Sequence, residues 1–259
     1  MPFLAAQQGN ADAQFKVGLK YLLGKDIQQD DKIAAKWFTF SAEQGNADAQ
    51  FNLGLMYARG RGVQKCLATA ALWYSKSAEQ HNIHACHNLA VQYENGRGVN
   101  QNYETAARWY RIAAERGDAD AQTNLGFLYD NGRGVAQNYG EAVKWYSLAA
   151  EQGKSRAQYN LGMMYRLGLG VPQDYKAAMS WFLTSAELGD PEAQFAAGLH
   201  YAKGFGVHAD MVLALKWWKI STASGNDDAE KQQSILIQAM SDAQISAAQA
   251  SADDWMMSR

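Results

Sequence analysis

The chain is 259 residues long, with a formal net charge of −2 and an isoelectric point of about 6.2. It therefore has no basic field to attract nucleic acid or an anionic membrane, which argues against nucleic-acid partners. Its apolar runs are much shorter than the roughly 20 residues of a membrane span, so we expect no membrane insertion. Residues 1–6 are too short and uncharged for a signal peptide. We expect a cytoplasmic protein, or a periplasmic or secreted one if an N-terminal leader has been removed.

A tryptophan recurs every 36 residues without insertion or deletion. A glycine series has the same period in another phase, except that His81 replaces its third member. A fixed period of this length is typical of a solenoid, whose long continuous surfaces favour binding over catalysis. The two series are Trp37, Trp73, Trp109, Trp145, Trp181 and Trp217, and Gly9, Gly45, Gly117, Gly153, Gly189 and Gly225.

The period divides the chain into a short start, six repeats and a different end. Residues 1–8 are expected to supply the last turn of a preceding repeat. Residues 225–259 are expected to form capping helices, the last of which begins with a capping box at Ser241 and Gln244. The six predicted repeats are 9–44, 45–80, 81–116, 117–152, 153–188 and 189–224.

Residues 45–80 show that each repeat encodes two helices joined by a glycine loop. Ala49, Leu53 and Tyr57 recur at i, i+4 and i+8 on one apolar face of the first helix. Trp73 belongs to the apolar stripe of the second helix, and we expect all of the recurring tryptophans to be core residues. Gly54 lies inside the first helix, where glycine is unfavourable. Because the third repeat has Ala90 at this position, we predict that a small volume is needed there.

The loops between the two helices begin with a glycine that is predicted to stop the first helix in a left-handed conformation. These glycines are Gly60, Gly96, Gly132, Gly168 and Gly204. An Asp or Asn side chain is predicted to cap the second helix that follows. Examples of these caps are Asn102, Asn138, Asp174 and Asp210.

These residues carry a family resemblance. The pattern A-x-A-Q-F/Y-N-L-G-x-x-Y-x-x-G-x-G-V, followed by A-x-x-W-Y/F-x-x-A-A-E-x-G, resembles the Sel-one-like repeat, a relative of the tetratricopeptide repeat. The resemblance covers about residues 3–224. It implies an all-α fold, a right-handed α/α superhelical solenoid of about six 36-residue helix pairs followed by a C-terminal capping helix pair. It also implies a bacterial adaptor or scaffold in a signalling, envelope or host-interaction setting.

A stripe of first-helix residues spaced i, i+4, i+7 and i+11 need not pack within its own repeat. The resemblance to the tetratricopeptide arrangement places this stripe on the concave side. Asparagine recurs in the stripe in repeats two to five, and its amides could pair with an extended peptide backbone. Alternatively, each asparagine caps a helix or bridges adjacent repeats. The predicted partner-binding residues are Asn52, His84, Asn88, Asp120, Asn124, Phe127, Asn131, Asn160 and Met163.

The third repeat holds three of the five histidines, His81, His84 and His87. His84 and His87 share one helical face, but Cys86 is rotated away from them, and zinc normally takes three or four protein ligands. We therefore predict no metal and no cofactor. His81 suits a left-handed position. A pH-sensitive patch in the groove is the alternative, because histidine titrates near neutrality.

Arg61, Arg97 and Arg133 lie between paired loop glycines at 36-residue intervals. They form a short basic row along one edge, which could contact a carboxylate-rich partner. Solvated loop positions are the other interpretation, because isolated exposed charges contribute little.

Motifs for catalysis are missing. Gly18, Gly24 and Lys25 mimic a phosphate loop, but the spacing is wrong and Asp26 stands where Ser or Thr must meet magnesium. The motifs S-x-x-K, K-T-G, G-x-S-x-G and H-E-x-x-H are also absent. We predict a non-enzymatic scaffold, monomeric, that binds a protein or extended peptide in its concave groove. The alternatives are a toxin-neutralising immunity or inhibitor protein that uses the convex face or the ends and, more distantly, a cell-wall-active or β-lactam-binding hydrolase.

Overall fold

The computed structural model describes residues 2–258. Within that range every regular element is an α-helix, and no β-strand occurs. Helix pairs follow one another at a constant spacing along the chain, so the protein is an all-helical solenoid of tandem repeats. No helix in the described range is long and apolar enough to cross a membrane.

Each repeat contributes a first and a second helix. A short helix, α1 (Pro2–Gln7), precedes the pairs, and α14 (Asp227–Ile237) and α15 (Asp242–Met257) follow them. The first helices are α2 (Ala11–Leu23), α4 (Ala47–Arg59), α6 (Ile83–Asn95), α8 (Ala119–Asn131), α10 (Ser155–Leu167) and α12 (Pro191–Lys203). The second helices are α3 (Asp31–Glu43), α5 (Leu67–Glu79), α7 (Tyr103–Glu115), α9 (Tyr139–Glu151), α11 (Tyr175–Glu187) and α13 (Met211–Ala223).

The chain divides into two compact units, Met1–Gln137 and Asn138–Arg259. Inside each unit, a first helix packs on the second helix of its own repeat, and that second helix packs on the next first helix. The core of each unit consists mainly of alanines from the facing helices, with larger residues such as Leu53 in the first unit and Met179 in the second.

The loop glycines end the first helices, as predicted. Gly60 has a φ of 71° and donates its N–H to the carbonyl of Met56. Gly24, Gly96, Gly132, Gly168 and Gly204 end their helices in the same left-handed conformation. The second helices begin at the predicted caps Asn102, Asn138, Asp174 and Asp210, whose side chains accept backbone N–H groups. In the second repeat Cys66 takes this place and makes no such bond.

In the second to sixth repeats, the second glycine of the loop is needed for a different reason, which the sequence pattern did not reveal. A Cβ on Gly62 would lie 2.1 Å from the backbone oxygen of Asp31. A Cβ on Gly98 would lie 2.3 Å from the backbone carbonyl carbon of Leu67. The loop therefore lies against the start of the preceding second helix, at a distance that leaves no room for a side chain.

The glycine inside the first helix faces an aromatic ring of the same repeat in the first, second, fifth and sixth repeats. A Cβ on Gly54 would lie 2.7 Å from the ring of Tyr74, and one on Gly198 would lie 2.5 Å from the ring of Trp218. In the third repeat, Ala90 occupies this place and is fully buried. The prediction that this position needs a small volume is confirmed.

The aromatic residue that follows the recurring tryptophan is the more constant core residue. Tyr110 is completely buried, whereas Trp109 beside it is half-buried. The ring after the tryptophan faces the helix glycine, which leaves the tryptophan on the flank of its helix. The prediction that every recurring tryptophan is a core residue holds for Trp145 and Trp217. It is wrong for the half-buried Trp37, Trp73, Trp109 and Trp181.

Glutamine side chains join consecutive repeats. The Nε2 atom of Gln50 donates to the carbonyl of Ala42, near the end of the preceding second helix, at 3.0 Å. Equivalent bonds start from Gln14, Gln122, Gln158 and Gln194. In the third repeat Cys86 takes this place, and its Sγ lies 3.7 Å from the carbonyl oxygen of Ala78. A thiol is a weak donor, so this joint has the weakest of these bonds.

The two helices that follow the repeats both pack on α13. The α15 helix begins with the predicted capping box of Ser241 and Gln244. Trp255 donates from Nε1 to Oε2 of Glu187 at 2.8 Å. Its ring meets that of Trp217 edge-on, with the centroids 5.9 Å apart. The α15 helix therefore covers apolar surface of the last helix pairs.

Candidate functional site

The first helices of repeats two to four carry an open surface cavity of about 250 Å³. The predicted residues His84, Asn88 and Asp120 line it, and we call it the His84 cavity. Its remaining lining residues are Phe51, Leu55, Arg59, His87 and Asp118. These side chains come from α4, from α6, and from α8 with its cap residue. The structure thus brings part of the predicted site together in the first unit.

His87 and Asp118 form the central polar pair of the His84 cavity. The Nδ1 atom of His87 lies 3.1 Å from Oδ1 of Asp118. The same oxygen accepts the backbone N–H of Ala121 at 2.7 Å, because Asp118 is the N-cap of α8. The ring of His87 also meets that of Tyr110 edge-on, with centroids 5.9 Å apart. The start of α8 therefore fixes the carboxylate, and the carboxylate orients the imidazole.

The environment of Asp118 favours its ionised form. Burial raises the pKa of this carboxyl, but hydrogen bonds from His87 and from the backbone of Ala121 lower it, as do the charges of His87 and His84. The net effect is a pKa below the usual range for aspartate. The cavity consequently holds a fixed negative charge at neutral pH.

One wall of the His84 cavity is aromatic. The exposed ring of His84 lies against Phe51, with centroids 5.7 Å apart and an angle of 33° between the planes. Phe51 is half-buried and contacts the ring of Tyr74 at 6.0 Å. The cavity therefore combines an apolar wall with charged and amide groups, a composition found in ligand-binding sites.

The predicted asparagine ladder does not form one uniform set of contacts. Asn52 donates from Nδ2 to the carbonyl of Asp48 in its own helix at 2.8 Å. Asn124 is a hydrogen-bond partner of the Tyr110 side chain. Asn131 donates to the carbonyl of Phe127 at 2.9 Å. Asn88 lines the His84 cavity instead. The amides thus differ in role from repeat to repeat, and their part in binding stays a prediction.

The remaining predicted residues lie outside the His84 cavity. Phe127 in the first unit is 37% exposed, and the guanidinium of Arg133 lies over its ring at 5.5 Å. In the second unit, Asn160 is half-buried. Met163 packs against the core that contains Phe182. The second unit therefore uses Met163 partly for packing, which the sequence pattern did not predict.

The histidine-rich tract of the third repeat places His84 and His87 together in the His84 cavity, whereas His81 and Cys86 lie elsewhere. His81 has a φ of 65°, which confirms the prediction of a left-handed position. Cys86 is a free, buried thiol, and burial raises its pKa to about 11. Among residues 2–258, no group of three or more His, Cys, Asp or Glu side chains is arranged to hold a metal ion.

The predicted partner-binding set did not include Phe51, Leu55, Arg59, His87 and Asp118, although His87 was considered as part of a pH-sensitive patch. A signal for the His87–Asp118 pair exists in the neighbouring repeats, where caps and first turns of consecutive first helices bond to each other. Examples are Asn46 to Asp12 and Asn82 to Asp48, each at 2.9 Å. A histidine one turn further along the helix then meets the cap of the next first helix.

Comparison with solved structures supports the fold. A protective antigen of uropathogenic Escherichia coli strains, which displays an SLR fold, is 32% identical to this chain with a TM-score of 0.86. The match covers 96% of this chain and 55% of the other, so this chain spans about half the length of that protein. A Sel1 repeat protein from Oxalobacter formigenes is 37% identical with a TM-score of 0.77, covering 85% of this chain and 86% of the other. No curated protein matches the chain.

The family comparison agrees with the helix pairs. Six consecutive segments match the Sel1 repeat: 11–46, 47–82, 83–118, 119–154, 155–190 and 191–226. Each segment begins with a first helix and ends at the cap of the helix that follows its second helix. Since these matches span most of its length, the chain belongs to the Sel1 repeat family.

Proposed function

We propose that this chain is a non-enzymatic scaffold that binds a segment of a partner protein at the His84 cavity. The observation that carries the proposal is the cavity itself, in which three consecutive first helices combine an aromatic wall, a fixed carboxylate, a cation and an amide. Proteins of this repeat family generally mediate protein interactions, which supports the same proposal.

The chemistry of the His84 cavity favours recognition over catalysis. The carboxylate of Asp118 is engaged by His87 and by the start of α8. In the described part of the chain, no serine, threonine or cysteine lines the cavity, so this histidine and carboxylate have no such nucleophile beside them. A partner side chain with an apolar stem and a basic end would contact Phe51 and approach the carboxylates of Asp118 and Asp120.

The test compares two double variants in capture experiments from a native bacterial lysate. In the first, His84→Ala is combined with Asp120→Ala, which removes two exposed side chains of the cavity. In the control, Glu104→Ala is combined with Arg108→Ala, exposed residues of the second helix α7. Circular dichroism establishes that both variants fold.

A partner that is retained by the control and lost from the His84/Asp120 variant supports the proposal. A partner that is lost only from the Glu104/Arg108 variant overturns it. That outcome would favour the alternative of an inhibitor or immunity protein that acts through the second-helix side.

A further inference from the structure

A second cavity in the first unit, of about 340 Å³, shares Asn88 with the His84 cavity. Its lining includes Lys65, Leu67, Gln92 and Arg97, and we call it the Arg97 cavity. No carboxylate of residues 2–258 lines it, although the chain as a whole is slightly acidic. Its two cations, Lys65 and Arg97, set it apart from the mixed charges of the His84 cavity, while Asn88 belongs to both.

Arg97 differs from the arginines at the same place in the neighbouring repeats. Arg61 donates from Nε to Asp31 at 2.7 Å and also donates to the carbonyl of Leu22. Arg133 lies over the ring of Tyr103 at 5.6 Å. In the third repeat the residue that corresponds to Asp31 and Tyr103 is Leu67. Among residues 2–258 the guanidinium of Arg97 has neither a carboxylate nor a ring as partner.

Lys65 is a second departure from the repeat in the same cavity. The corresponding Gln101 and Gln173 donate to a backbone carbonyl at the end of the preceding first helix, each at 2.8 Å. Lysine replaces this glutamine in the second repeat, and its side chain is exposed. The next residue is Cys66, where other repeats have an Asp or Asn cap. The second repeat therefore has a cation and a thiol at two positions where other repeats have amide or acidic side chains.

Gln92 provides an independent sign of a ligand. Its side chain is 6% exposed and lines the Arg97 cavity. Its Oε1 atom is buried and has no hydrogen-bond partner. The corresponding residues Met56 and Leu128 are apolar. A buried acceptor without a donor is unfavourable unless a bound group satisfies it, so Oε1 of Gln92 calls for an N–H of the bound segment.

We propose that the Arg97 cavity binds a carboxylate of the partner segment whose neighbouring residues occupy the His84 cavity. Arg97 and Lys65 supply the charge, Oε1 of Gln92 accepts the backbone N–H of the residue that carries the carboxylate, and Leu67 contacts the apolar stem of that residue. Asn88, in the wall of both cavities, is placed to bond the backbone between the two anchored residues. This inference rests on the proposed function, because it specifies the partner as a peptide with an acidic group.

The test uses small probes and does not require the natural partner. The side-chain NH₂ signals of Gln92 are followed by NMR during titration with N-acetyl-leucine, which carries a backbone carboxylate, and with N-acetylglutamate α-amide, which carries a side-chain carboxylate. N-acetyl-leucinamide is the matched uncharged probe. We expect the carboxylate probes to shift the Gln92 signals with a dissociation constant on the order of 10 mM, as befits ligands of this size. The tighter of the two identifies the source of the carboxylate.

Two variants make the test specific. Arg97→Gln is expected to weaken carboxylate binding by roughly fivefold or more, because a charge-assisted bond is lost. Arg133→Gln, at the same place in another loop, is expected to leave binding unchanged. Equal shifts with N-acetyl-leucinamide, an unchanged affinity in Arg97→Gln, or tighter binding of inorganic phosphate would overturn the proposal. The capture experiment alters only His84 and Asp120, so it tests the proposed function separately. If partner capture depends on those two residues but the NMR titration shows no carboxylate binding, only the carboxylate site is refuted.

Discussion

The interior between paired helices and the surface of the first helices follow the same 36-residue period. Residue types recur in the interior but vary on the surface. In the interior, the helix glycine meets an aromatic ring in the first, second, fifth and sixth repeats, at nearly the same distance. On the surface, the position of His84 is occupied by Asp48 in one neighbouring repeat and Asp120 in the other. The comparison teaches that residues recur where the same packing contact recurs. Where no neighbour restricts the side chain, it varies, and the candidate sites lie among these variable positions.

The interior should give the largest effect on stability. Tyr110→Ala is expected to lower the free energy of unfolding by about 3–5 kcal/mol, because it empties a fully buried site. It also removes the hydroxyl that donates to Oε2 of Glu94 at 2.5 Å. Trp109→Ala, at the adjacent half-buried position, is expected to cost about half as much. Urea unfolding of both variants measures the difference, and a larger loss in Trp109→Ala would contradict the assignment of the core ring.

The loop glycines give the next largest effect. Gly62→Ala is expected to cost about 3 kcal/mol, because its Cβ would overlap the backbone of Asp31 and its φ is positive. Gly45→Ala is the matched control, since its φ is also positive but its Cβ would have no atom within 4 Å. The control is expected to cost about 1 kcal/mol. Equal losses of thermal stability in the two variants would show that backbone conformation alone is responsible.

The pair of Asp118 and His87 is expected to contribute about 1 kcal/mol to the free energy of unfolding, in a pH-dependent way. The pKa of Asp118 is lower in the folded than in the unfolded chain. Its contribution is therefore complete above the unfolded value of about 4 and is lost as the pH falls through the folded value. Asp118→Asn keeps a helix cap but removes the charge. Urea unfolding at neutral pH and below pH 4 should show a smaller loss of stability on acidification for the variant than for the parent chain.

The loop arginines should give the smallest effects on stability. Arg61 and Arg97 are expected to differ because only Arg61 has internal partners. Arg61→Gln is expected to lower stability by about 0.5–1 kcal/mol, because its contacts with Asp31 and the Leu22 carbonyl are lost. Arg97→Gln should change stability by less than about 0.5 kcal/mol, since this side chain is exposed. Thermal unfolding of both variants in parallel checks this. A clear loss in Arg97→Gln would indicate an internal partner and would weaken the carboxylate proposal.

Much of the fold was predictable because its determinants are local. Helix stops at residues such as Gly60 and caps such as Asn102 depend only on nearby backbone geometry. The need for a small residue at Gly54 followed from Ala90 at the same place. The greater burial of Tyr110 than of Trp109 was not predictable in this way. It depends on which of the two adjacent rings faces the first helix. Since both rings are aromatic, the sequence pattern does not distinguish them.

The candidate sites were predictable only in part because they depend on contacts between repeats. His84 and Asn88 could be assigned to the surface from helix periodicity alone. The pairing of His87 with Asp118 depends on the offset between consecutive first helices, which the period does not specify. The significance of Arg97 lies in a missing partner, and this becomes visible only when the environment of Arg61 is known.

The thiol of Cys86, at the contact between the second and third repeats, affects where the solenoid unfolds locally. Stability in a solenoid is approximately a sum over repeats and their joints, and local opening is easiest where the joint is weakest. We therefore expect amide hydrogens of α5 and α6 to exchange with solvent sooner than those of α3 and α4, whose joint has the Gln50 bond. The His84 cavity uses residues from both sides of this joint. A bound segment would consequently slow that exchange. The fraction of protein with a segment bound could therefore be followed from the amide exchange rates of α5 and α6.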